Sequence, residues 1–171
     1  VTANDATGQP IPGVPVVLAV PGTGNSIAQP GITDSRGQAV GSFSSSIAEQ
    51  KVVSAKAGGI QLAATRTVNI IATQADPSTT TASVPKGHSF RTTVILIQTR
   101  DAFGNPLHTG GAAGSLAVQI KGTNPGTGQV TDNQNGTYTA IYFALFRGTD
   151  TISITLNGVP IKGSPYTSTV R

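Results

Sequence analysis

Two stretches of the sequence, Asp5-Ala-Thr-Gly-Gln-Pro10 and Asp101-Ala-Phe-Gly-Asn-Pro106, carry the same turn pattern. In such a turn the Asp side chain accepts a hydrogen bond from the backbone two residues on, Gly adopts a positive φ, and Pro fixes the entry into the next segment. Each stretch is followed, in the same order, by an apolar run opened by Gly, a second Asp-to-Gly turn and further strand-like runs. This repetition predicts two copies of one domain in tandem, which we place at residues 1–74 and 75–171.

The segments between the turns alternate in polarity, as strands do. In the run Thr151 to Leu156, for example, Ile152, Ile154 and Leu156 share one face and the polar residues share the other. The pattern predicts an all-β fold of two tandem immunoglobulin-like antiparallel β-sandwiches, with no helix longer than one turn. The predicted strands lie near 1–4, 14–20, 38–44, 51–57 and 62–71, and near 79–84, 89–100, 115–121, 127–132, 137–143, 149–157 and 166–170.

The composition excludes several kinds of site. The 171 residues include no Cys, so the chain has neither a disulfide framework nor a thiolate metal site. No run of about 18 apolar residues is present, so this segment is predicted to contain no membrane span. The 11 basic residues outnumber the seven acids but occur singly along the sequence. This scatter favours solvated surface charge over a nucleic-acid interface, with an anionic surface glycan as the alternative partner.

The second copy resembles a filamin-type immunoglobulin-like repeat. The resemblance rests on Thr99-Arg-Asp-Ala-Phe-Gly-Asn-Pro106, Asp132-Asn-Gln-Asn-Gly-Thr-Tyr-Thr139 and Gly163-Ser-Pro-Tyr166, which occur in that order. The first copy, with Asp5-Ala-Thr-Gly-Gln-Pro-Ile-Pro-Gly13 and Thr33-Asp-Ser-Arg-Gly-Gln-Ala39, resembles the bacterial Ig-like group 1 repeat of invasin and intimin adhesins. Both resemblances imply β-sandwiches that serve as adhesive or spacing modules and need no cofactor.

The first copy is shorter than the second. Only Val1 to Asn4 precede its Asp turn, whereas the second copy has one strand and most of the next before Asp101. We therefore expect the first sandwich to lack its N-terminal strand. The favoured reason is that the sequence is a piece of a longer protein. The alternative is a strand supplied by another chain or segment, because an open sheet edge pairs readily.

The filamin resemblance also implies a partner-binding edge, because repeats of that type accept a partner strand along their C and D strands. By position this edge consists of Gly114, Ser115, Leu116, Ala117, Val118, Gln119, Ile120 and Lys121, with residues 127–132 beside it. An exposed edge offers unpaired N–H and C=O groups to an extended segment. The alternative is an edge that Pro125 and Gly126 blunt and that binds no partner.

Two groups of polar and aromatic residues have further predicted roles. The sequence Asn135-Gly-Thr137 is an N-x-[ST] sequon and so a glycosylation candidate, with a turn-forming Asn135 as the alternative. Tyr138, Tyr142 and Phe143 are predicted to be packing residues. The alternative for Tyr138 is a tyrosine corner, in which the hydroxyl bonds to the backbone upstream.

These observations predict a non-catalytic structural and adhesion module of a larger extracellular or cell-surface protein. Four of the seven acids, Asp5, Asp34, Asp101 and Asp132, occupy turns and are not thereby free for acid–base chemistry, so we predict no catalytic or metal residues. The expected partners are other protein chains or neighbouring Ig-like repeats.

Two other functions are compatible with the sequence. One is an intracellular filamin-like scaffold that binds peptides by β-augmentation. The other is an accessory polysaccharide-binding module of a secreted hydrolase. The absence of Trp weakens the second alternative, because carbohydrate sites commonly use exposed aromatic side chains as stacking platforms.

Overall fold

A computed structural model of the protein describes residues 1–171, and its regular structure is β-strand apart from one three-residue 3-10 turn, Ala113–Ser115. The chain divides into two units, Val1–Ile71 (unit 1) and Ala72–Arg171 (unit 2). The named strands pair in antiparallel ladders within several sheets. The predicted all-β class is therefore confirmed. No helix has the length and hydropathy needed to span a bilayer.

Unit 1 contains seven short strands. They are β1 (Pro15–Ala19), β2 (Asn25–Ala28), β3 (Gly31–Ile32), β4 (Ser42–Ser45), β5 (Gln50–Ala57), β6 (Ile60–Gln61) and β7 (Arg66–Asn69). Its larger sheet has the order β3-β1-β5-β6, with β7 also paired to β5. The second sheet consists of β2 and β4 alone.

Unit 2 contains nine strands in two sheets. They are β8 (Thr81–Ser83), β9 (Arg91–Gln98), β10 (Leu116–Gly122), β11 (Gly126–Thr127), β12 (Gln129–Asp132), β13 (Thr137–Ala144), β14 (Gly148–Leu156), β15 (Val159–Pro160) and β16 (Tyr166–Val170). One sheet has the order β11-β10-β14-β15, with β16 also paired to β14. The other has the order β12-β13-β9-β8.

The two units repeat one topology. In unit 1, β1 pairs with β3 and β5, and β5 pairs with β6 and β7; in unit 2, β10 pairs with β11 and β14, and β14 pairs with β15 and β16. The β2–β4 pair corresponds to the β12–β13 pair. Unit 1 has no strands that correspond to β8 and β9, which precede the Asp101 turn in unit 2. The first sandwich is thus the incomplete one.

The hydrophobic core lies almost entirely in unit 2. Fourteen buried side chains from both of its sheets form one cluster, which consists of Ile95, Ile97, Leu116, Val118, Ile120, Tyr138, Ala140, Tyr142, Ala144, Ile152, Ile154, Leu156, Ile161 and Val170. The buried hydrophobic residues of unit 1 are Val16, Val20, Ala39 and Ala55. Unit 1 also has a largely apolar open cavity of about 340 Å³ beside Leu18, Ala55 and Leu62.

Several predicted strands differ from those observed. Residues 1–4 form two isolated bridges, Thr2 to Gln38 and Asn4 to Pro10, and no strand of their own. Backbone hydrogen bonds join Val1 to Ala39 and Ala3 to Gly37 in the same short stretch. The sequence pattern also missed β2, whose four residues show little apolar alternation and depend on pairing with β4. The predicted strand at 62–71 is shorter, at Arg66–Asn69.

The aromatic residues of β13 do not all face the core. Tyr138 and Tyr142 are buried, as predicted, but Phe143 is 55% exposed. Successive side chains of a strand point to opposite faces of the sheet, so Tyr142 and Phe143 cannot both face inward. The prediction that Phe143 is a packing residue was therefore wrong.

Candidate functional site

The predicted partner-binding edge comprises a turn and a strand. Gly114 and Ser115 belong to the 3-10 turn, and β10 begins only at Leu116. Within β10, Leu116, Val118 and Ile120 are buried, whereas Ala117, Gln119 and Lys121 are exposed. Strand alternation therefore directs every second residue of the predicted edge into the core and leaves three side chains for a partner.

Most of the hydrogen-bonding groups on the outer side of β10 are already bonded within the chain. The Asn157 N–H donates to the Ser115 C=O over 2.8 Å, so the odd-numbered residues on this strand bond to β14. Because hydrogen-bonded pairs alternate along an antiparallel ladder, the N–H and C=O groups of the even-numbered residues of β10 point away from β14, to the outer side. At one end the Leu116 N–H donates to the Ala113 C=O, and at the other Ile120 pairs with Gly126 in β11.

Between these ends, the Val118 C=O accepts a hydrogen bond of 2.9 Å from the Gly128 N–H. Between Leu116 and Ile120, the outward groups that remain are the Leu116 C=O and the Val118 N–H. The open part of this edge is therefore three residues long, Leu116 to Val118.

The neighbouring segment, predicted as one strand over 127–132, is divided between the two sheets. Thr127 pairs with Gln119 of β10, whereas Gln129 pairs with Ile141 of β13. Gly128 makes the change of sheet, and a Cβ added there would lie 2.9 Å from Val118 Cγ1. The absence of a side chain at Gly128 thus allows the close passage. Binding of a partner at this edge stays a prediction.

Asn135 lies at an exposed turn before β13. Its Oδ1 accepts hydrogen bonds from the Thr137 N–H at 3.0 Å and from the Thr137 hydroxyl at 2.6 Å. This is the arrangement of an Asn that forms a turn through its own side chain. The side chain is exposed, and glycosylation of the sequon stays a prediction.

Three aspartates form the same turn. In each, Oδ1 accepts from the backbone N–H groups two and four residues ahead: Thr7 and Gln9 for Asp5, Arg36 and Gln38 for Asp34, and Phe103 and Asn105 for Asp101. The Gly N–H three residues ahead donates to the Asp C=O in all three. The carboxylates thus stabilise the turns.

The hydrogen bonds hold these carboxyl groups in the charged form. The Thr7 hydroxyl and the Gln9 N–H lower the pKa of Asp5, and the N–H groups of Gln38 and Arg36 lower the pKa of Asp34. Burial by itself raises the pKa of Asp101, but hydrogen bonds from Asn105, Thr73 and Phe103 outweigh it and keep that pKa below its ordinary value. A general acid at neutral pH needs the opposite shift.

The structure also contains a buried polar pair that the sequence analysis missed. Asp150 is 0% exposed and accepts hydrogen bonds from the Asn124 N–H at 2.7 Å, from Asn124 Nδ2 at 2.9 Å and from the Tyr142 hydroxyl at 3.3 Å. Asn124 and Asp150 are 26 residues apart in sequence. No local pattern marks such a pair, so only the paired strands β10 and β14 reveal it.

Two family models match the chain. The Filamin/ABP280 repeat matches residues 74–167, and the Bacterial Ig-like domain (group 1) matches residues 1–71. Both resemblances inferred from the sequence are thereby confirmed. These two matches support a structural or adhesion role for the chain.

The chain is also similar to individual proteins. Tripartite motif-containing protein 2 of Homo sapiens is 32% identical over 103 residues, which are 57% of this chain and 13% of that protein. The chain therefore corresponds to a small part of this relative's length.

Two solved structures share the fold. The Lin-41 filamin domain is 28% identical and covers 58% of this chain and 98% of that domain, with a TM-score of 0.50. The Escherichia coli adhesin FdeC is 18% identical and covers 98% of this chain and 56% of that one, with a TM-score of 0.55. At this identity the likeness to FdeC shows the fold alone.

Proposed function

Because the chain belongs to the Filamin/ABP280 repeat family through residues 74–167, we propose that it is a non-catalytic spacer and adhesion module of a larger protein at the cell surface. The observation that carries this proposal is the combination, in one chain, of that repeat with a bacterial Ig-like group 1 domain over residues 1–71. The turn geometry supports it, since the carboxylates of Asp5, Asp34 and Asp101 accept hydrogen bonds that stabilise turns.

The mechanism is mechanical. Antiparallel ladders of paired strands hold each sandwich together. Repeats of this kind, joined in series, hold a binding surface away from the point of attachment. Other protein chains or neighbouring Ig-like repeats are the expected partners.

Surface labelling of the native cells tests the location. An antibody raised against unit 2 is expected to stain intact cells as strongly as permeabilised cells, while an antibody against a cytosolic protein stains only the permeabilised ones. Staining by the unit 2 antibody only after permeabilisation would reject the surface location.

The second candidate is an intracellular scaffold that binds peptides by β-augmentation. The open backbone groups of Leu116 and Val118 favour it, because an extended peptide could pair there. Only three residues are open, however, so a longer partner strand has to displace β11 from Ile120 and Gln119. Amide hydrogen exchange tests whether β11 is displaced: a bound peptide would take over the pairing with Ile120, so the Gly126 N–H of β11 is expected to lose protection while the Ile120 N–H stays protected.

A further inference from the structure

Five of the seven Lys and Arg side chains of unit 2 gather at one end of the sandwich. Strand pairing brings together the start of β9, the ends of β10 and β13, the start of β14 and the end of β16. We call this region the basic end and define it as residues 85–91, 121–124, 144–150 and 170–171. Its exposed cationic side chains are Lys86, Arg91, Lys121, Arg147 and Arg171.

The basic end has no exposed Asp or Glu side chain. Its one acidic side chain, Asp150, is 0% exposed and bonded to Asn124 and Tyr142. The other acids of unit 2, Asp76, Asp101 and Asp132, lie at the opposite end of the unit, where β9 ends. Asp101 follows β9 in the chain, and the Asp76 N–H donates to the Arg100 C=O. Asp132 pairs with Tyr138 of β13, which in turn pairs with Ile97 of β9. The sequence scatter of the basic residues therefore conceals a cluster that forms only in the folded unit.

Exposed apolar side chains project from the same end. Phe90 is 72% exposed, Phe146 is 62% exposed and Leu145 is 47% exposed. Each Phe is followed directly by a cation, as Phe90-Arg91 and Phe146-Arg147. The two loops are neighbours, because the Phe90 N–H donates to the Ala144 C=O over 2.7 Å.

The backbone of the Leu145–Phe146 loop is fixed from the inside. Asn124 Oδ1 accepts hydrogen bonds from the Leu145 N–H at 2.8 Å and the Phe146 N–H at 2.7 Å, and Asn124 Nδ2 donates to the Phe146 C=O at 2.9 Å. Asn124 is itself only 8% exposed and is held by Asp150. The loop thus uses buried polar groups to hold its backbone while its apolar side chains face solvent.

Phe90 is held in an unusual conformation. Its φ is 59°, in the left-handed region that few residues other than glycine, asparagine and aspartate adopt. The preceding loop is tied to β16 by the hydrogen bonds from the Gly87 N–H to Thr169 and from the Ser89 N–H to Arg171. Both exposed Phe side chains are therefore presented by anchored loops.

We propose that the basic end of unit 2 docks on the surface of an anionic lipid bilayer. Phe90, Leu145 and Phe146 enter the boundary between headgroups and acyl chains, as apolar side chains of interfacial segments do. Lys86, Arg91 and Arg147 bind the phosphate groups around them, because cations near an anionic leaflet are attracted to it.

The apolar composition favours a bilayer over a soluble polyanion. A polyanion in water is bound by cations alone or by planar side chains that stack on bases. Leu145 is aliphatic and cannot stack, and the exposed Ile141 and Val94 extend the apolar surface along the outer face of β13 and β9. This docking is independent of the proposed spacer role and goes beyond it.

A single fluorophore tests the proposal. The chain contains no Trp, so Phe146→Trp places the only Trp in the basic end. We expect its emission to shift to the blue with vesicles of phosphatidylcholine and phosphatidylglycerol, and to stay unchanged with phosphatidylcholine alone. The matched control is Phe103→Trp, at a residue that is 68% exposed in the Asp101 turn at the opposite end; its emission is expected not to shift.

Charge variants in the Phe146→Trp background test the role of the cations. Each cation near an anionic surface contributes about a fivefold gain in partitioning, so Arg91→Gln with Arg147→Gln is expected to weaken vesicle binding about 25-fold. Lys162→Gln, an exposed cation outside the basic end, is the control and is expected to bind as before. Unchanged thermal unfolding of each variant verifies that the fold is retained.

Three results would overturn the proposal. The first is no blue shift with anionic vesicles, and the second is an equal shift with vesicles of phosphatidylcholine alone. The third is an equal shift with soluble polyphosphate or a single-stranded oligonucleotide at the same phosphate concentration, which would assign the basic end to a soluble polyanion.

Discussion

The three Asp-to-Gly turns share their hydrogen bonds but differ in the exposure of the aspartate. Asp5 and Asp34 are exposed, whereas Asp101 is 1% exposed and also accepts a hydrogen bond from the Thr73 N–H at 3.3 Å. The turn pattern is local, so the sequence was sufficient to predict it. The burial of Asp101 depends on surrounding segments such as the one at Thr73, and no local pattern predicts that contact.

We expect Asp101→Asn to destabilise unit 2 by about 2 kcal/mol, the usual size for hydrogen bonds to a buried charged group. The new amide replaces an acceptor oxygen with a donor among the N–H groups of Phe103, Asn105 and Thr73. Urea unfolding of unit 2 measures the change. Asp5→Asn is the matched control in an exposed copy of the turn, and its effect is expected to be much smaller. Equal losses for the two variants would contradict the role of burial.

The pKa of Asp101 also predicts a pH dependence. Its folded pKa is lowered from the ordinary value of 3.8, so the stabilisation is fully present above that value and is lost as the pH falls through the lower, folded pKa. The difference in unfolding free energy between the unsubstituted protein and Asp101→Asn is therefore expected to be constant near neutral pH and to shrink in acid. Urea titrations across this range measure it, and a difference that widens in acid would reverse the assigned sign.

At the scale of the element, alternation predicts strands better than it predicts which strand pairs with which. The predicted ranges 149–157 and 166–170 agree closely with β14 and β16, because their apolar residues recur at every second position. The candidate edge was less predictable. The length of the unpaired stretch of β10 is set by the hydrogen bond from the Gly128 N–H and by the pairing with β11. Both are contacts with another part of the chain, which the local sequence of β10 does not show.

Gly128 is the residue that permits the crossing between β11 and β12. A Cβ at Gly128 would lie 2.9 Å from Val118 Cγ1 and 3.0 Å from Val118 Cβ, and Val118 is only 3% exposed. Because a packed core relaxes little, we expect Gly128→Ala to destabilise unit 2 by about 1–3 kcal/mol. Chemical denaturation monitored by tyrosine fluorescence checks this.

Gly126→Ala serves as the control for that substitution. A Cβ at Gly126 would meet nothing within 4 Å, and Gly126 has no positive φ to be strained. The variant is expected to be as stable as the unsubstituted protein, or slightly more so because Ala restricts the unfolded chain. If both Gly variants lost the same stability, the close passage at Val118 would not be the cause.

At the scale of the whole molecule, the repeated topology accounts for the repeated pattern in the sequence. The paired strands β1 and β5 match β10 and β14, and the Asp turns precede both pairs. The sequence also indicated what unit 1 lacks, because its Asp turn comes after four residues only. The sequence did not indicate how few hydrophobic side chains unit 1 buries, because burial depends on how the remaining strands cover one another.

That difference in the cores predicts the order in which the units unfold. Unit 1 buries four hydrophobic side chains, all of them small or medium in size, whereas unit 2 buries fourteen, including two Tyr and six Ile. Unit 1 also buries the charged Lys51, whose ammonium group pairs with Glu49 and the Thr23 C=O. Since burial of apolar surface is the main favourable term in folding, we expect unit 1 to open at a lower temperature and denaturant concentration than unit 2.

Native-state hydrogen exchange with mass spectrometry measures this order directly. Peptides from residues 50–57 are expected to lose protection at lower denaturant than peptides from residues 148–156, although β5 and β14 occupy the same place in their sheets. Equal protection of the two strands would contradict the expectation. In unit 2, β13 pairs with β9, whereas β4, its counterpart in unit 1, pairs only with β2. An added strand that pairs with the other side of β4, from elsewhere in a longer chain or from a second chain, would take the place that β9 has beside β13. Such a strand should raise the protection of unit 1 and leave that of unit 2 unchanged.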